Sequence, residues 1–143
     1  MDIGYFREFI QDSTTDFLLY VPFNFDPSRV SYTEVYQRSP SFTPEIIFKA
    51  NHVWVGGGFV LGEGRMLRSW TMLYMKLVEN FVRAGLMDTD QQVLYAAANM
   101  NKRVLQQIQV HHGGVADGNR WFYLGIMCKR AGRAKEERTR MNS

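Results

Sequence analysis

Cysteine is nearly absent from this sequence of 143 residues, in which Cys128 is the only one. A single cysteine excludes an internal disulfide and any zinc site built from several cysteines. Long apolar runs are also lacking, because no stretch reaches the roughly 18 residues that span a membrane. The first residues, MDIGYFREFIQD, lack the basic and apolar regions of a secretory signal. We therefore expect no membrane span in this chain.

Proline is missing from the last two thirds of the chain, since all four prolines fall at positions 22, 27, 40 and 44. Each proline restricts the residue before it to extended conformations. Residues 1–45 are therefore predicted to be irregular and to wrap a scaffold, with short apolar pieces (DFLLYVPF and RVSYTEVY) that fit strands or turns of helix. The composition, 45% hydrophobic and 14% aromatic, is enough for one core in one domain.

Positive charge is scarce outside the C-terminus, although the whole chain has a net charge of +3. Six basic and two acidic side chains give residues 129–143 a charge of +4, which leaves −1 for the first 128 residues. This distribution predicts a basic, disordered tail over residues 129–143. Residues 1–128 are predicted to form one domain, of the α/β class for the reasons given below. Because the domain itself is slightly acidic, we do not expect nucleic acid as a partner.

A run of three glycines, Gly56 to Gly58, lies inside the stretch VWVGGGFVLGE between two apolar segments predicted to be buried strands. Glycine runs lose much backbone entropy on folding, so a close neighbour is expected to exclude side chains here. The glycines fit a backbone-lined ligand pocket, whose amides would bond hydroxyls or phosphate, or a β-bulge or tight strand connection. No Gly-Lys-Ser/Thr follows, which excludes a Walker-type phosphate loop.

The rest of the chain predicts alternating elements. The stretch WTMLYMKLVENF has apolar residues at three- and four-residue steps, which indicates a helix that ends at Gly85. A second helix follows in DTDQQVLYAAANMNK, capped by Asp88 or Thr89 with Gln91 or Gln92 about three residues on. LQQIQVHH is a strand candidate and RWFYLGIMCKR a last helix. This order predicts an α/β layer fold with its ligand site near the carboxyl ends of strands.

Three separated segments resemble one family. MDIGYFRE, VWVGGGFVLGEGRMLRSW and LMDTDQQVLYAA are similar, in this order, to segments of the HtrL/YibB family, whose members look like glycosyltransferases of the GT-A type. The resemblance covers roughly Asp2 to Tyr123 and implies a three-layer, nucleotide-diphospho-sugar transferase fold. In such enzymes a βαβ unit precedes the Asp-x-Gly segment, and here only Met1 precedes Asp2. The chain is therefore interpreted as the C-terminal part of a GT-A-like fold, incomplete without its N-terminal βαβ unit.

The resemblance also implies a metal and a substrate pocket. Asp2 would bind a divalent cation, Mn²⁺ or Mg²⁺, which neutralises the diphosphate of the donor as it leaves. His112 would complete this metal site, although the pair of histidines before two glycines also fits an edge of the core. The residues assigned to the substrate pocket are Gly4, Gly56, Gly57, Gly58 and Trp121.

Asp90 and Gln91 are the catalytic candidates that the resemblance implies. An acid beside glutamine at the start of a helix would face the donor sugar or the acceptor hydroxyl, where sugar transfer needs a polar group near the anomeric carbon. An acid in the first turn also complements the helix dipole without any catalytic role. Asp88, two residues earlier, competes for the same assignment.

The function implied by the resemblance is transfer of a sugar from a nucleotide-sugar donor to an unknown acceptor, by a domain that is inactive or incomplete as this fragment. The alternative is a non-catalytic interaction module or truncated remnant that uses the basic tail to dock on an anionic partner.

Overall fold

The computed structural model describes residues 18–114 and 117–142 of the chain. Within them, three strands form one sheet: β1 (Val30–Glu34), β2 (Val55–Leu61) and β3 (Ile108–His111). The strand order is β2-β1-β3, with β1 antiparallel to β2 and parallel to β3. The central strand of the sheet is therefore the first strand in the described chain.

Helices cover both faces of this sheet. The α-helices are α1 (Pro44–Lys49), α2 (Gly64–Arg83), α3 (Asp90–Met100), α4 (Lys102–Gln106) and α5 (Tyr123–Met141), and a short 3-10 helix, Arg120–Phe122, precedes α5. The structure thus confirms the predicted α/β class. Among the residues that the structure describes, no helix has both the length and the apolar content of a membrane span.

The sheet separates two apolar cores. The larger one joins the sheet to helices α1–α4, and α3 is buried continuously from Gln92 to Ala98. The smaller one joins β2 to α5 through Phe59, Leu124 and Cys128. We refer to these two sides as the α3 face and the α5 face.

The predicted end of α2 and the predicted start of α3 are confirmed, whereas α2 begins six residues before the predicted stripe and α3 ends at Met100. Helix α2 ends where expected, with Gly85 at a positive φ of 71° and the Leu86 N–H donating to the carbonyl of Phe81 at 2.8 Å. This is the geometry of a glycine-terminated helix. Helix α3 is capped by Thr89, the second of the two candidates, and the side chain of Gln92 accepts the Thr89 N–H at 3.3 Å.

The predicted glycine turn between two strands is wrong, because β2 runs through the glycines without interruption. Ser31 pairs with Leu61 and Thr33 pairs with Gly56, so this interval contains three more residues of β2 than of β1. The extra residues shift the register, as a bulge does. The register shift fits the bulge interpretation of the glycine run, and the ligand-pocket interpretation stays a prediction.

The structure confirms the strand alternative for RVSYTEVY, which contains β1, whereas the prediction of irregular chain up to residue 45 is wrong for the start of α1. Strand β1 is short, but neighbours on both sides and helices on both faces bury Val30 and Tyr32. Helix α1 uses Pro44 in its first turn, where the missing N–H has no helical partner to lose. The prolines thus delimit elements in this region and do not exclude them.

The chain after residue 129 also differs from the predicted disordered tail, since helix α5 continues to Met141. Its first half is held by the segment at Leu18–Tyr20, whose Tyr20 N–H donates to the Cys128 carbonyl at 3.0 Å. Gly132 allows this contact, because a Cβ there would overlap the backbone of Leu18. Sequence composition did not reveal this tertiary contact.

Candidate functional site

The neighbour that excludes a side chain at Gly57 belongs to the protein itself. A Cβ built on Gly57 would overlap the carboxylate of Asp90, the first residue of α3. Real Cβ atoms do not approach other atoms so closely, so glycine at this position lets the carboxylate lie on the strand backbone. The structure therefore brings together two residues that the sequence analysis assigned to one site.

Asp90 lines a cleft of about 430 Å³ on the α3 face. Its volume lies within the range of roughly 300–1,000 Å³ that is typical of small-molecule sites. The walls are mostly apolar and aromatic, and the remaining lining residues are Tyr32, Val60, Leu67, Trp70, Thr71, Tyr74 and Leu94. We call this the Asp90 cleft. It combines one carboxylate with hydroxyl groups and aromatic rings.

The back wall of the Asp90 cleft is a fixed pair of aromatic side chains. The indole Nε1 of Trp70 donates to the hydroxyl oxygen of Tyr32 at 2.8 Å, and the rings meet edge to face with centroids 6.3 Å apart. Trp70 is 4% exposed and belongs to the larger core. The Tyr32 oxygen accepts this bond, so the hydroxyl hydrogen of Tyr32 remains as a donor for a hydrogen bond to a ligand.

The two tyrosines of the cleft stay protonated. Burial raises the pKa of Tyr32 strongly; the bond from Trp70 opposes this rise and the negative charge of Asp90 adds to it. Burial also raises the pKa of Tyr74, and the charge of Asp90 contributes again. Both hydroxyls therefore remain neutral donors at any physiological pH, beside a group that accepts hydrogen bonds.

Gly56 faces the opposite side of β2, where its neighbour is Trp121. A Cβ on Gly56 would lie 3.5 Å from Cε3 of Trp121 and 3.4 Å from Cγ2 of Val35, which is ordinary contact. Trp121 meets the ring of Tyr36 edge to face, with centroids 6.3 Å apart. It also lines a polar groove of about 630 Å³ with Tyr36, Gly113, Gly114, Gly118, Asn119 and Arg120, which we call the Arg120 groove.

Arg120 is held in place at the edge of this groove. One guanidinium nitrogen donates to the carbonyl of Val35 at 3.0 Å, and the guanidinium carbon lies 6.0 Å from the centroid of the Tyr36 ring. A bond to the backbone and a contact with an aromatic ring both restrict a long side chain. The groove therefore holds a positioned positive charge next to two aromatic rings.

His112 lies at the carboxyl end of the parallel strands, where its Nδ1 is 3.4 Å from Oε2 of Glu34. The other carboxylate oxygen of Glu34 accepts the indole N–H of Trp54 at 2.9 Å. The sequence analysis paired His112 with Asp2 in a metal site, and Asp2 lies outside the described residues. Within residues 18–114 and 117–142, no three His, Cys, Asp or Glu side chains come together as a metal site would require.

His111 has a different environment from its neighbour. It is 4% exposed, and its Nε2 lies 3.1 Å from the hydroxyl of Ser31, which in turn donates to the side chain of Gln109 at 3.0 Å. Burial lowers the pKa of His111, and the nearby His112 lowers it further. These contacts make His111 part of a buried polar cluster on the sheet.

The remaining residues that were assigned to the site either lie outside the described residues or do not line the Asp90 cleft. Gly4, like Asp2, lies outside the described residues. Gly58 is half-buried within β2. Gln91 is half-buried and is not among the residues that line the Asp90 cleft, whereas the adjacent Gln92 points inward and caps α3. Asp88 is exposed and does not line the cleft either, so the geometry favours Asp90 over Asp88.

Comparison with known proteins does not assign the chain to a family. No protein-family model, no curated protein and no solved structure matches it.

The sequence analysis did not assign four residues to a site: Tyr32, Tyr74, Glu34 and Arg120. Tyr74 lies four residues after Trp70, so the helical period that predicted α2 places both side chains on one face. Tyr32 and Glu34 alternate in the segment VSYTE, which is typical of one face of a strand. The strand alternative for RVSYTEVY was therefore the signal that could have identified Tyr32 and Glu34.

Proposed function

We propose that this chain is a glycosyltransferase-like domain of the GT-A type, which binds the sugar of a nucleotide-sugar donor in the Asp90 cleft for transfer to an acceptor hydroxyl. The observation that carries the proposal is the carboxylate of Asp90 on the backbone of Gly57, at the wall of a cleft of aromatic and hydroxyl side chains. Two separated segments of the family resemblance, the glycine run and Asp-Gln, meet at this contact.

The chemistry of the Asp90 cleft suits a sugar. The two oxygens of a carboxylate accept hydrogen bonds from adjacent sugar hydroxyls, and charge-assisted bonds of this kind are stronger than neutral ones. Tyr32 and Tyr74 supply neutral donors for sugar oxygens. A carboxylate near the anomeric carbon also stabilises the positive charge that develops as the donor bond breaks. Asp90 is thus assigned to hold the sugar and stabilise that charge.

The Arg120 groove lies on the opposite side of β2 from the Asp90 cleft, and the proposal does not place the nucleotide of the same donor molecule there. Arg120 presents a fixed guanidinium, the group that binds phosphate oxygens in a bidentate manner. Trp121 and Tyr36 offer aromatic surface to a ligand, and the resemblance assigned Trp121 to the substrate pocket. The groove also lies beyond the carboxyl ends of β1 and β3, where ligands of α/β folds commonly bind.

A divalent cation, Mn²⁺ or Mg²⁺, belongs to the proposal through the resemblance alone. When bound, it would neutralise the donor diphosphate. Among the described residues, the imidazole Nδ1 of His112 lies 3.4 Å from a carboxylate oxygen of Glu34. We assign no step to the cation on this basis.

The test compares Asp90→Asn with Asp88→Asn, a matched change of an exposed carboxylate two residues away. Thermal unfolding is followed with and without a panel of nucleotide sugars and Mn²⁺, since a ligand that binds the folded state raises the unfolding midpoint. We expect one donor class to raise the midpoint of the wild type and of Asp88→Asn but not of Asp90→Asn. If no nucleotide sugar shifts the wild-type midpoint, or if both variants respond equally, the proposal is wrong.

A second candidate, a non-catalytic interaction module, is favoured by the ordered basic helix. Arg133, Lys135, Arg138 and Arg140 are exposed along the last turns of α5, against Glu136 and Glu137. Such a helix attracts anionic partners in a salt-dependent way. Binding of the protein to heparin resin that persists above physiological salt, together with no response to nucleotide sugars, would favour this second function over the first.

A further inference from the structure

The Arg120 groove is a concave surface that is separate from the Asp90 cleft. It has a volume of about 630 Å³ and is lined by residues of the segments that follow β1 and β3. The described residues that line it are all different from those that line the Asp90 cleft. A ligand of the groove is therefore independent of the sugar that is proposed for the Asp90 cleft.

Arg120 carries a charge that the described part of the chain does not neutralise. One guanidinium nitrogen donates to the Val35 carbonyl at 3.0 Å, and the guanidinium lies over the Tyr36 ring. Among the described residues, no carboxylate forms a salt bridge with Arg120. Arginine has five N–H donors, so a single carbonyl acceptor leaves most of them for a ligand. A guanidinium held in this way can bind an anionic oxygen group through two parallel hydrogen bonds.

Two acidic side chains near the groove have other partners. Asp117 accepts a hydrogen bond from Arg130 at 2.7 Å, and this bond holds the pKa of Asp117 below its usual value. Glu34 lines an adjacent cavity of about 160 Å³ together with Arg120, and one of its oxygens accepts the indole N–H of Trp54 at 2.9 Å. Because the Glu34 carboxylate would attract a cation to this region, the sign of the ligand's charge has to be tested directly.

Two aromatic rings of the groove offer contact surface to a ligand. Trp121 is half-buried, Tyr36 is 52% exposed, and their rings meet edge to face. The indole N–H of Trp121 has no hydrogen-bond partner among the described residues, whereas those of Trp54 and Trp70 donate to other side chains. The groove thus combines aromatic surface with donors that lack acceptors, which suits a ring that carries acceptor oxygens.

We propose that the Arg120 groove binds an organic anion with a planar ring, whose phosphate or carboxylate group pairs with Arg120 while the ring lies against Tyr36 and Trp121. A planar guanidinium matches two oxygens of either anionic group, and the aromatic side chains supply contact area for the ring. An anion without a ring would lose this contact, and a neutral ring would leave the guanidinium unpaired. Neither should bind as tightly as the combination.

The three tryptophans of the full-length protein report on three different places through their indole ¹H–¹⁵N signals. Trp121 lines the groove, Trp70 lines the Asp90 cleft and Trp54 lies in the larger core. Trp121→Phe and Trp70→Phe each remove one signal and thereby assign all three. A ligand in the groove should move the Trp121 signal and leave the Trp70 signal in place.

The first titration compares three compounds that share an indole ring and differ in charge at pH 7: indole-3-acetate, neutral indole-3-ethanol and cationic tryptamine. We expect the dissociation constant read from the Trp121 signal to be about tenfold lower for the anion than for the neutral compound, as a charge-assisted hydrogen bond requires. Tryptamine should bind most weakly. Equal or tighter binding of tryptamine overturns the proposal.

The second titration distinguishes phosphate from carboxylate as the anionic group, using uridine 5′-monophosphate, uridine and inorganic phosphate. We expect the monophosphate to bind more tightly than uridine or inorganic phosphate, and the tighter of the monophosphate and indole-3-acetate identifies the anionic group. Inorganic phosphate that binds as tightly as the monophosphate would show an adventitious ion only. The proposal is also wrong if neither organic anion moves the Trp121 signal at about 5 mM, where a site of millimolar affinity would be mostly occupied.

Arg120→Gln tests the charge, and Arg38→Gln is its matched control. Arg38 also donates a hydrogen bond, to Asn99 at 2.7 Å, and lies 5.7 Å from the Trp54 ring centroid, but it does not line the groove. The dissociation constant of the tighter anion should rise about tenfold in Arg120→Gln and stay within about twofold in Arg38→Gln. Equal changes in both variants contradict the role of Arg120. If Arg120→Gln does not fold, the titrations of the wild type decide.

These measurements separate the groove from the proposed function. An anion that moves the Trp121 signal in a protein that binds no nucleotide sugar removes the sugar-transfer proposal and keeps the groove as a binding site. Conversely, a uridine 5′-monophosphate signal change confined to Trp70, together with no response to indole-3-acetate, favours the Asp90 cleft and overturns the groove.

Discussion

Gly56 and Gly57 are neighbours in one strand, yet they face opposite sides of it, and the groups that lie against them differ. On the α3 face, a Cβ at Gly57 would overlap a carboxylate, whereas on the other face a Cβ at Gly56 would make an ordinary contact with Trp121. Only at Gly57 would an added Cβ displace a neighbouring group, the carboxylate of Asp90, from its present position. A glycine run in a sequence can therefore indicate that another group lies close to the backbone, but it does not show at which glycine.

The two faces differ in polarity as well. The Asp90 cleft has a largely apolar wall with a single carboxylate, while the opposite side holds a buried polar cluster formed by Ser31, Gln109 and His111. The first arrangement leaves a charge accessible to a ligand, and the second satisfies its polar groups internally. We therefore expect changes on the α3 face to affect binding and changes in the polar cluster to affect stability.

The largest effect should come from removing the wall of the Asp90 cleft. Trp70→Ala deletes a buried indole, and truncation of a buried tryptophan typically lowers the free energy of unfolding by about 3–5 kcal/mol. Chemical denaturation followed by circular dichroism measures the loss. Trp70→Phe, which keeps an aromatic ring but removes the donor to Tyr32, should lose clearly less. A small loss in Trp70→Ala would show that the wall does not support the fold.

A smaller loss of stability is expected at Gln92, which anchors α3 beneath Asp90. Its side-chain amide donates to Oδ1 of Asn51 at 2.6 Å and to the His52 carbonyl at 3.3 Å, in a fully buried position. Gln92→Ala leaves these acceptors without their donor, and the free energy of unfolding should fall by about 1–3 kcal/mol. The half-buried neighbour provides the control, since Gln91→Ala should change it by less than about 0.5 kcal/mol. Equal losses in both variants would contradict the inward position of Gln92.

Gly57→Ala should have a still smaller effect on stability, although it is the change that most directly alters the site. The Asp90 carboxylate is at an exposed position and can rotate away from the new methyl group. We expect the free energy of unfolding to change by less than about 1 kcal/mol, because reduced freedom of the unfolded chain offsets part of the strain. Thermal unfolding of Gly57→Ala and Gly56→Ala side by side checks this. A loss of several kcal/mol would mean that the contact supports the fold more than a site.

The smallest effect should be a pH dependence that arises in the polar cluster. Burial lowers the pKa of His111 below its ordinary value of 6.5, so the unfolded chain binds a proton more readily than the folded one. The free energy of unfolding should therefore fall as the pH drops below about 6.5. Urea unfolding at a series of pH values measures this, and His111→Gln should flatten the profile in that range. A profile with the same slope in His111→Gln would assign the dependence to other groups.

The sequence predicted most of the helices and part of the site because those features are local. The stripe from Trp70 to Phe81 and the stop at Gly85 are visible within a few turns of chain. The meeting of Gly57 with Asp90 was anticipated through the resemblance, as two segments of one site. Strand β1 was predicted only as one of two alternatives for RVSYTEVY, because its burial depends on strands that are distant in sequence, and the partners of Glu34 and His112 could not be identified from the sequence.

We propose that glycine at position 57 lets Asp90 form a sugar-binding site. Binding of a nucleotide sugar to Gly57→Ala and to Gly56→Ala tests this role most directly. A hydrogen bond to a charged group is worth about 1.5–3 kcal/mol, so displacement of the carboxylate should weaken binding by about tenfold or more. Isothermal titration with the donor that stabilises the wild type should show this loss in Gly57→Ala and an affinity within about twofold of wild type in Gly56→Ala. Equal affinities in the two variants would contradict the account.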